Sequence, residues 1–311
     1  MKVLGVNFSH NCSFAYMEDG VLKEYYEEDR FNKIKNFRPP DSFYTINYQY
    51  LILKKFKHIV FDAVVFSSPG IQTIHYEKLM IDNILKQITC NNVKLYNNQH
   101  HVHHALSGFY FSNFEKAIAI VCDGSGEKLN DKYLNLFRAI ESIYELNKKK
   151  VKCHFQCFSN WATDYFKLNE KILKKENIKK DGVDIILTNG LIGGQKYAIY
   201  RNKAGFRSHQ EGQLMGIAAY RNKNTNLDKE VLDIAYKAQE ETLEDRIKQI
   251  EKAMTYSDCK NIILSGGYHL NCANNFKLVK RFPELNFFVD PIPYDGGTAV
   301  GAAYQYANFE N

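Results

Sequence analysis

The chain has 311 residues, of which 45% are hydrophobic and 24% charged, the composition of a globular protein with one large core or two lobes. No apolar run reaches the roughly eighteen residues that cross a bilayer. The N-terminal MKVLGVNFSH lacks a signal-peptide core and cleavage site, so the expectation is a cytoplasmic protein with no membrane span. The 41 Lys and Arg exceed the 35 Asp and Glu by a modest +6, and the seven cysteines include no CxxC pair, which argues against a disulfide framework. Cys12, Cys122 and Cys272 lie in glycine-rich turns and read as reduced thiols filling space. Cys153, His154 and Cys157 lack a fourth zinc ligand nearby.

Residues 2–8 read as a strand, and 13–17 and 21–26 as two more, joined by the turn Glu18-Asp19-Gly20. A three-strand meander opening a domain is typical of ribonuclease-H-like lobes. A helix is expected over 43–56, a buried strand over 63–67, helical spacing over 74–88 and a short strand over 93–96. The stretch HHVHHALSGFYFSNFEKAIAIVCDGSGE follows, from His100 to Glu127. If 99–110 is a helix, His100 and His104 share a face one turn apart, a spacing that suits two imidazoles on one ion. The apolar run 117–121 reads as a strand that delivers Asp123, with Gly124 and Gly126 directly behind. Two histidines and a carboxylate on a glycine loop can close round one cation, while the histidine pair taken alone reads as a polar helix face, a reading that the C-terminal motifs reverse.

Beyond Glu127, strands are expected over 133–140 and 142–146. The span 148–184 is the least patterned. It gathers Lys148, Lys149, Lys150, Lys152, Lys167, Lys171, Lys174, Lys175, Lys179 and Lys180 with only Asp164, Glu170 and Glu176 against them, and it interleaves Phe155, Phe158, Trp161, Tyr165 and Phe166. A long amphipathic helix, broken once, is expected over 227–254. Residues 261–264 form a strand running into Ser265-Gly266-Gly267, and 286–289 another, leading to Asp295-Gly296-Gly297-Thr298 and an alanine-rich helix. Strand, glycine turn and helix in succession predict an α/β fold whose turns bring backbone N–H groups to phosphate.

Taken together, these motifs resemble those of the nodulation and antibiotic O-carbamoyltransferase family, whose catalytic part is similar to the tRNA threonylcarbamoyl-transfer proteins. The resemblance rests on His10-Asn11-Cys12-Ser13, Glu28-Asp29-Arg30-Phe31 with Lys35, His100 to Ala105, and Asp123 to Glu127. It continues through Glu211 to Tyr220, Gly266 to Asn274 and Pro291 to Ala303. Asn11 stands where the family has Asp, and Gln213 where it has Lys. Family members usually carry a further YrdC-like domain that makes the activated carbamoyl group. It is not found in this sequence, so a separate YrdC-like partner is expected.

The resemblance implies two ribonuclease-H-like lobes of the actin/Hsp70/sugar-kinase type, here 1–112 and 113–311, with a nucleotide cleft between them and the C-terminal helix packing back on the first lobe. It implies ATP, carbamoyl-adenylate and AMP in that cleft, on Gly124, Ser125, Gly126, Glu127, Gly266, Gly267 and Asn271. It also implies a divalent metal, usually iron(II), on His100, His104, Asp123 and Asp295. His10 is the candidate base, or a nucleotide contact. Asn274 and Glu211 are further cleft candidates, Glu211 being equally a helix cap. The expected reaction moves a carbamoyl group from carbamoyl phosphate and ATP to an acceptor hydroxyl. Lysines interleaved with aromatics can hold phosphates and stack on bases, which favours a hydroxymethylated pyrimidine in DNA or a nucleotide as acceptor. The alternatives are a small-molecule carbamoyltransferase, a tRNA threonylcarbamoyl transferase and an ATP-binding regulator. The tRNA enzymes have Glu-Gly where Val102-His103 stand here, and a regulator leaves the two histidines unexplained.

Overall fold

Five strands form the first sheet of the computed structural model, which describes residues 1–39, 48–68, 74–129, 137–160, 176–188 and 192–310. β1 (Lys2–Asn7), β2 (Ser13–Glu18) and β3 (Val21–Glu27) make an antiparallel meander. β4 (Val60–Ser67) lies parallel to β1 on its other side, and β5 (Thr89–Tyr96) is parallel to β4, giving the order β3-β2-β1-β4-β5. Central strands are covered on both faces, which is why β1 and β4 read as near-continuous apolar runs. Leu4, Val6, Phe14, Phe61 and Phe66 fill one side and Val3, Ala15, Met17 and Val65 the other. Short helix α1 (Asp29–Asn32) follows β3, and α2 (Ile74–Leu85) connects β4 to β5.

The second sheet repeats the plan. β6 (Lys116–Cys122), β7 (Phe137–Asn147) and β8 (Lys150–Asn160) form the meander, and β9 (Glu176–Lys180) and β10 (Val183–Thr188) extend its edge as a hairpin. β11 (Asn261–Ser265) and β12 (Asn286–Val289) run parallel on the far side of β6, so the order is β12-β11-β6-β7-β8-β10-β9. The chain is therefore α/β, with two ribonuclease-H-like lobes of the actin/Hsp70/sugar-kinase type. Ser265 pairs with Val121 across the parallel strands β11 and β6, a register that brings the Asp123 and Gly266 turns side by side at the C-terminal ends of these strands.

Helix α3 (His100–Ser112) packs on β6, β7 and β11. The later helices are α4 (Gly194–Lys203), α5 (Glu211–Ile217), α6 (Lys229–Met254), α7 (Cys272–Arg281) and α8 (Thr298–Phe309). The C-terminal helix α8 packs on β1, β2, β4 and α3, so the α3–α8 pair joins the two sheets. Small residues permit that approach. A Cβ on Gly5 would lie 2.0 Å from the Ala299 carbonyl oxygen, and one on Gly301 would lie 1.9 Å from that of His103.

Several expected elements differ. The helix over 43–56 reduces to a 3-10 turn over Ile52–Phe56, with 40–47 outside the described residues. The two strands expected over 133–146 are one strand, β7; its register shifts at Ala139/Glu141 and Ile143/Tyr144 disturb the period-two alternation that marks a strand. β5 starts at Thr89 because an edge strand tolerates exposed polar residues such as Asn91 and Asn92. Helix α6 is unbroken, and its first turn is capped by Asp228, whose carboxylate accepts the Glu230 N–H at 2.7 Å.

Candidate active site between the lobes

Two imidazoles and two carboxylates meet where the lobes join. Helix periodicity puts His100 and His104 on one face of α3, and their Nε2 atoms lie 3.1 Å apart. The end of β6 delivers Asp123, whose Oδ2 is 3.5 Å from His100 Nε2. The loop between β12 and α8 delivers Asp295, whose Oδ1 is 3.5 Å from His100 Nε2 and 3.8 Å from His104 Nε2. All four residues are buried, and one ligand atom from each falls within 4.8 Å of the others.

These residues fit a cation. Burial alone would push both carboxyl groups up, yet the neighbouring histidines outweigh it and hold Asp123 well below the usual carboxylate range and Asp295 below its ordinary value. Burial pulls His100 down, but Asp295 and Asp123 carry it up to about 10. His104 falls to about 3, because burial is reinforced by the charge on His100. The cluster thus collects one positive charge between two carboxylates, where a divalent ion with mixed nitrogen and oxygen ligands is chemically suited.

Glycine turns surround the cluster. The Gly267 N–H donates to Asp123 Oδ1 at 3.3 Å, and the Ser125 N–H to Asp123 Oδ2 at 3.4 Å. Gly124 faces open space, as a site for phosphate requires. Gly266 adopts φ +91°, and a Cβ there would sit 2.3 Å from the Cys122 carbonyl oxygen. A third pair, Gly193-Gly194, was not recognised in the sequence. It opens α4 directly on Asp123, with a Gly194 Cβ 2.7 Å from the Asp123 carbonyl oxygen. The signal was available as a third strand, glycine turn and helix, from Val183–Thr188 to α4.

The remaining candidates separate into residues on the cluster and residues behind it. His10 is on it: Nε2 lies 3.0 Å from Asp295 Oδ2, and Ser9 Oγ donates to the same oxygen at 3.1 Å. Asn7 fastens this loop through His10 and Asn11 carbonyls. Asn11 occupies the left-handed region at φ +58°, and its Oδ1 is 2.7 Å from His10 Nδ1 while its Nδ2 donates to Asn36. Both nitrogens of His10 therefore face acceptors. His209, overlooked in the sequence, reaches across from the second lobe to within 5.7 Å of the His10 ring. Glu211 starts α5 and pairs with Arg201. Glu127 is buried; it accepts the His101 N–H at 3.0 Å and so ties the Asp123 loop to the start of α3. Asn271 and Asn274 lie behind the Gly266 turn in a buried network. Asn271 bonds Gln239 and Tyr197 and accepts the Asn274 N–H at the start of α7, while Asn274 donates to Tyr268 at 2.9 Å.

The basic span divides likewise. Phe155 and Phe158 are core residues, so neither can stack on a base. Lys149, Lys150, Lys152, Lys179 and Lys180 are exposed, and Lys148 pairs with Glu115. Trp161, Tyr165, Phe166, Lys167, Lys171, Lys174 and Lys175 lie outside the described residues. No helix among the described residues is long and apolar enough to cross a membrane.

Fold and site define a protein of the actin/Hsp70/sugar-kinase class with a cation-competent cluster between its lobes. Its sequence matches the carbamoyltransferase N-terminus family over residues 47–304, and the chain belongs to that family. It is similar to the nodulation protein NolNO of Sinorhizobium fredii, with 22% identity over 97% of this chain and 47% of that protein. The chain spans about half the length of the curated relatives it matches, 56% and 47%. Among solved structures, full-length HypF in its phosphate- and nucleotide-bound form superposes with a TM-score of 0.61 at 13% identity, over 98% of this chain and 55% of HypF. A ROK glucokinase from Streptomyces griseus with glucose and AMPPNP gives 0.52 at 11% identity, over 97% and 98%.

Proposed function

We propose that this chain carries the transfer step of an O-carbamoyltransferase. It binds carbamoyl-adenylate, formed from carbamoyl phosphate and ATP, and passes the carbamoyl group to an acceptor hydroxyl with release of AMP. The observation that carries the reading is the buried cluster of His100, His104, Asp123 and Asp295, its four ligand atoms within 4.8 Å, set against glycine turns in a chain of this family. His100, His104, Asp123 and Asp295 would hold a divalent cation, iron(II) in our reading, which would supply positive charge beside the phosphate leaving group. The turns at Gly124-Ser125-Gly126, Gly193-Gly194 and Gly266-Gly267 border the phosphate and adenosine and let them approach the backbone closely, while the Ser125 and Gly267 N–H groups stay on Asp123 and that of Gly126 on Ala139. Asn271 and Asn274 act indirectly, by holding Tyr268 just beyond the Gly266-Gly267 turn.

The acceptor oxygen attacks the carbamoyl carbon, the bond from that carbon to the adenylate oxygen breaks, and the hydroxyl proton leaves. His10 takes the proton on Nε2 as a neutral imidazole, its Nδ1–H held by Asn11 Oδ1 and its Nε2, without a proton, turned from Asp295 to the acceptor hydroxyl. Glu211 and Arg201 border this side, where His209 reaches across to His10. A YrdC-like domain or partner outside residues 1–311 forms the carbamoyl-adenylate in this scheme. The acceptor we favour remains a hydroxymethylated pyrimidine, now on the exposed lysines alone, with a small alcohol as the competing substrate. The test supplies purified protein with carbamoyl-adenylate and each acceptor class, and follows AMP release and the mass gain of a carbamate. AMP release that does not depend on an acceptor hydroxyl defeats the reading.

A further inference from the structure

A buried carboxylate that takes no part in the cluster lies behind it. Asp290 follows β12 and is 2% exposed. Its Oδ2 accepts a hydrogen bond from Ser265 Oγ at 2.8 Å. Its Oδ1 accepts from the Ile292 N–H at 2.9 Å and from Ser107 Oγ at 3.4 Å. Its own N–H donates to the Leu264 carbonyl at 3.0 Å. No lysine or arginine pairs with it among the described residues, and the titratable neighbour along the adjoining groove, His269, is held neutral by burial that takes it down to about 3.

The three donors belong to the three segments that carry the cluster. Ser107 stands on α3 one turn beyond His104, on the face that presents both histidines. Ile292 lies in the loop that delivers Asp295, and a Cβ on Gly297 in that same loop would come within 3.0 Å of Ser107 Oγ. Ser265 ends β11 directly before Gly266-Gly267, and the Gly267 N–H binds Asp123 Oδ1 at 3.3 Å. One carboxylate thus bonds the helix that carries His100 and His104, the loop that delivers Asp295, and the strand end before the glycine turn that binds Asp123. Hydrogen bonds behind the ligands commonly change metal affinity by about ten- to a hundred-fold.

We infer that Asp290 is a positioning residue for the His100–His104–Asp123–Asp295 cluster, fixing its three supporting segments so that all four ligands face one divalent cation. The inference rests on the metal reading above. It is tested with Co2+ as the probe, titrated into metal-free protein and read by visible absorption, which reports affinity and coordination geometry apart from activity. Asp290→Asn is expected to fold, to raise the Co2+ dissociation constant about ten- to a hundred-fold and to alter the absorption band. The double variant Ser107→Ala/Ser265→Ala keeps the carboxylate and removes two of its donors, and is expected to shift both in the same direction. Wild-type protein that binds Co2+, with His104→Ala that does not, establishes the metal reading independently. If Asp290→Asn then binds with wild-type affinity and spectrum, the inference is overturned while the reading stands. Should Asp290→Asn fail to fold, unchanged binding in the double variant overturns it. A wild-type chain without a Co2+ site removes both.

Discussion

Replacing Asp290 with Asn should change how stability depends on pH, in a direction the fold dictates. Burial pushes the Asp290 carboxyl up from 3.8 to about 6, and the hydrogen bonds from Ile292, Ser265 and Ser107 offset only part of that. In the unfolded chain the group ionises near pH 4, whereas in the folded chain it keeps its proton to about pH 6. Between these values the folded state binds more protons than the unfolded state, so stability falls as pH rises. A displacement of about two units at 1.36 kcal/mol each makes the full loss roughly 3 kcal/mol, present below pH 4 as stability and gone above the folded value. Asparagine has no such slope. The difference in unfolding free energy, wild type minus Asp290→Asn, should therefore fall by about 2.5 kcal/mol between pH 4 and pH 7.5, the rest of the loss lying below pH 4. Urea unfolding of both proteins at several pH values, in chelator so that no cation contributes, measures it. Other titrating groups, the cluster and His269 included, occur in both proteins and cancel to first order. Parallel profiles would refute the burial argument.

Other outcomes follow from the same geometry. His104→Ala should lose stoichiometric metal and carbamoyl transfer together; full metal content in that variant contradicts the cluster. Gly266→Ala forces a side chain onto the Cys122 carbonyl at φ +91° and should cost about 3 kcal/mol or more in urea unfolding, and an unchanged midpoint would show that the turn yields. Gly124→Ala meets nothing within 4 Å and should fold like wild type, yet lose AMP affinity by calorimetry because the methyl group enters the phosphate space. Retained affinity places the nucleotide elsewhere. If nucleic acid is the acceptor, single-stranded DNA binding should weaken steeply with salt, and Lys149, Lys150, Lys179 and Lys180 changed together to Gln should flatten the slope.

Much of the fold could be read because its signals are local. Apolar runs marked β1, β6 and β11, the last two leading into glycine turns, and a buried strand needs nothing more to be seen. The elements that were missed depend on neighbours. β7 looked like two strands because its bulges disturb the alternation, and bulges are defined by the partner strand. The hairpin of β9 and β10 was hidden in a lysine-rich stretch, since an edge strand can leave Lys179 and Lys180 in solvent. Phe155 and Phe158 looked available for stacking only while the strand that turns them into the core was unrecognised.

The site divides in the same way. His100 and His104 were legible because helical period alone sets them on one face, whereas Asp295 came from a motif, since nothing local says that a loop near the C-terminus returns to α3. Asp290 had no signal at all. An Asp before Pro291 reads as a turn opener, and its burial is decided by the register of β12 on β11 and by the face that α3 presents. A carboxylate that is ordinary in the sequence becomes costly once three segments close over it. The pH profile measures that cost, and the Co2+ titration measures what the closure does for the ligands. If replacing Asp290 removes the slope and also loosens the metal, the burial serves the cluster. If it removes the slope and leaves the metal untouched, the carboxylate only destabilises the fold, and the ligands are held by α3 and the glycine turns without it.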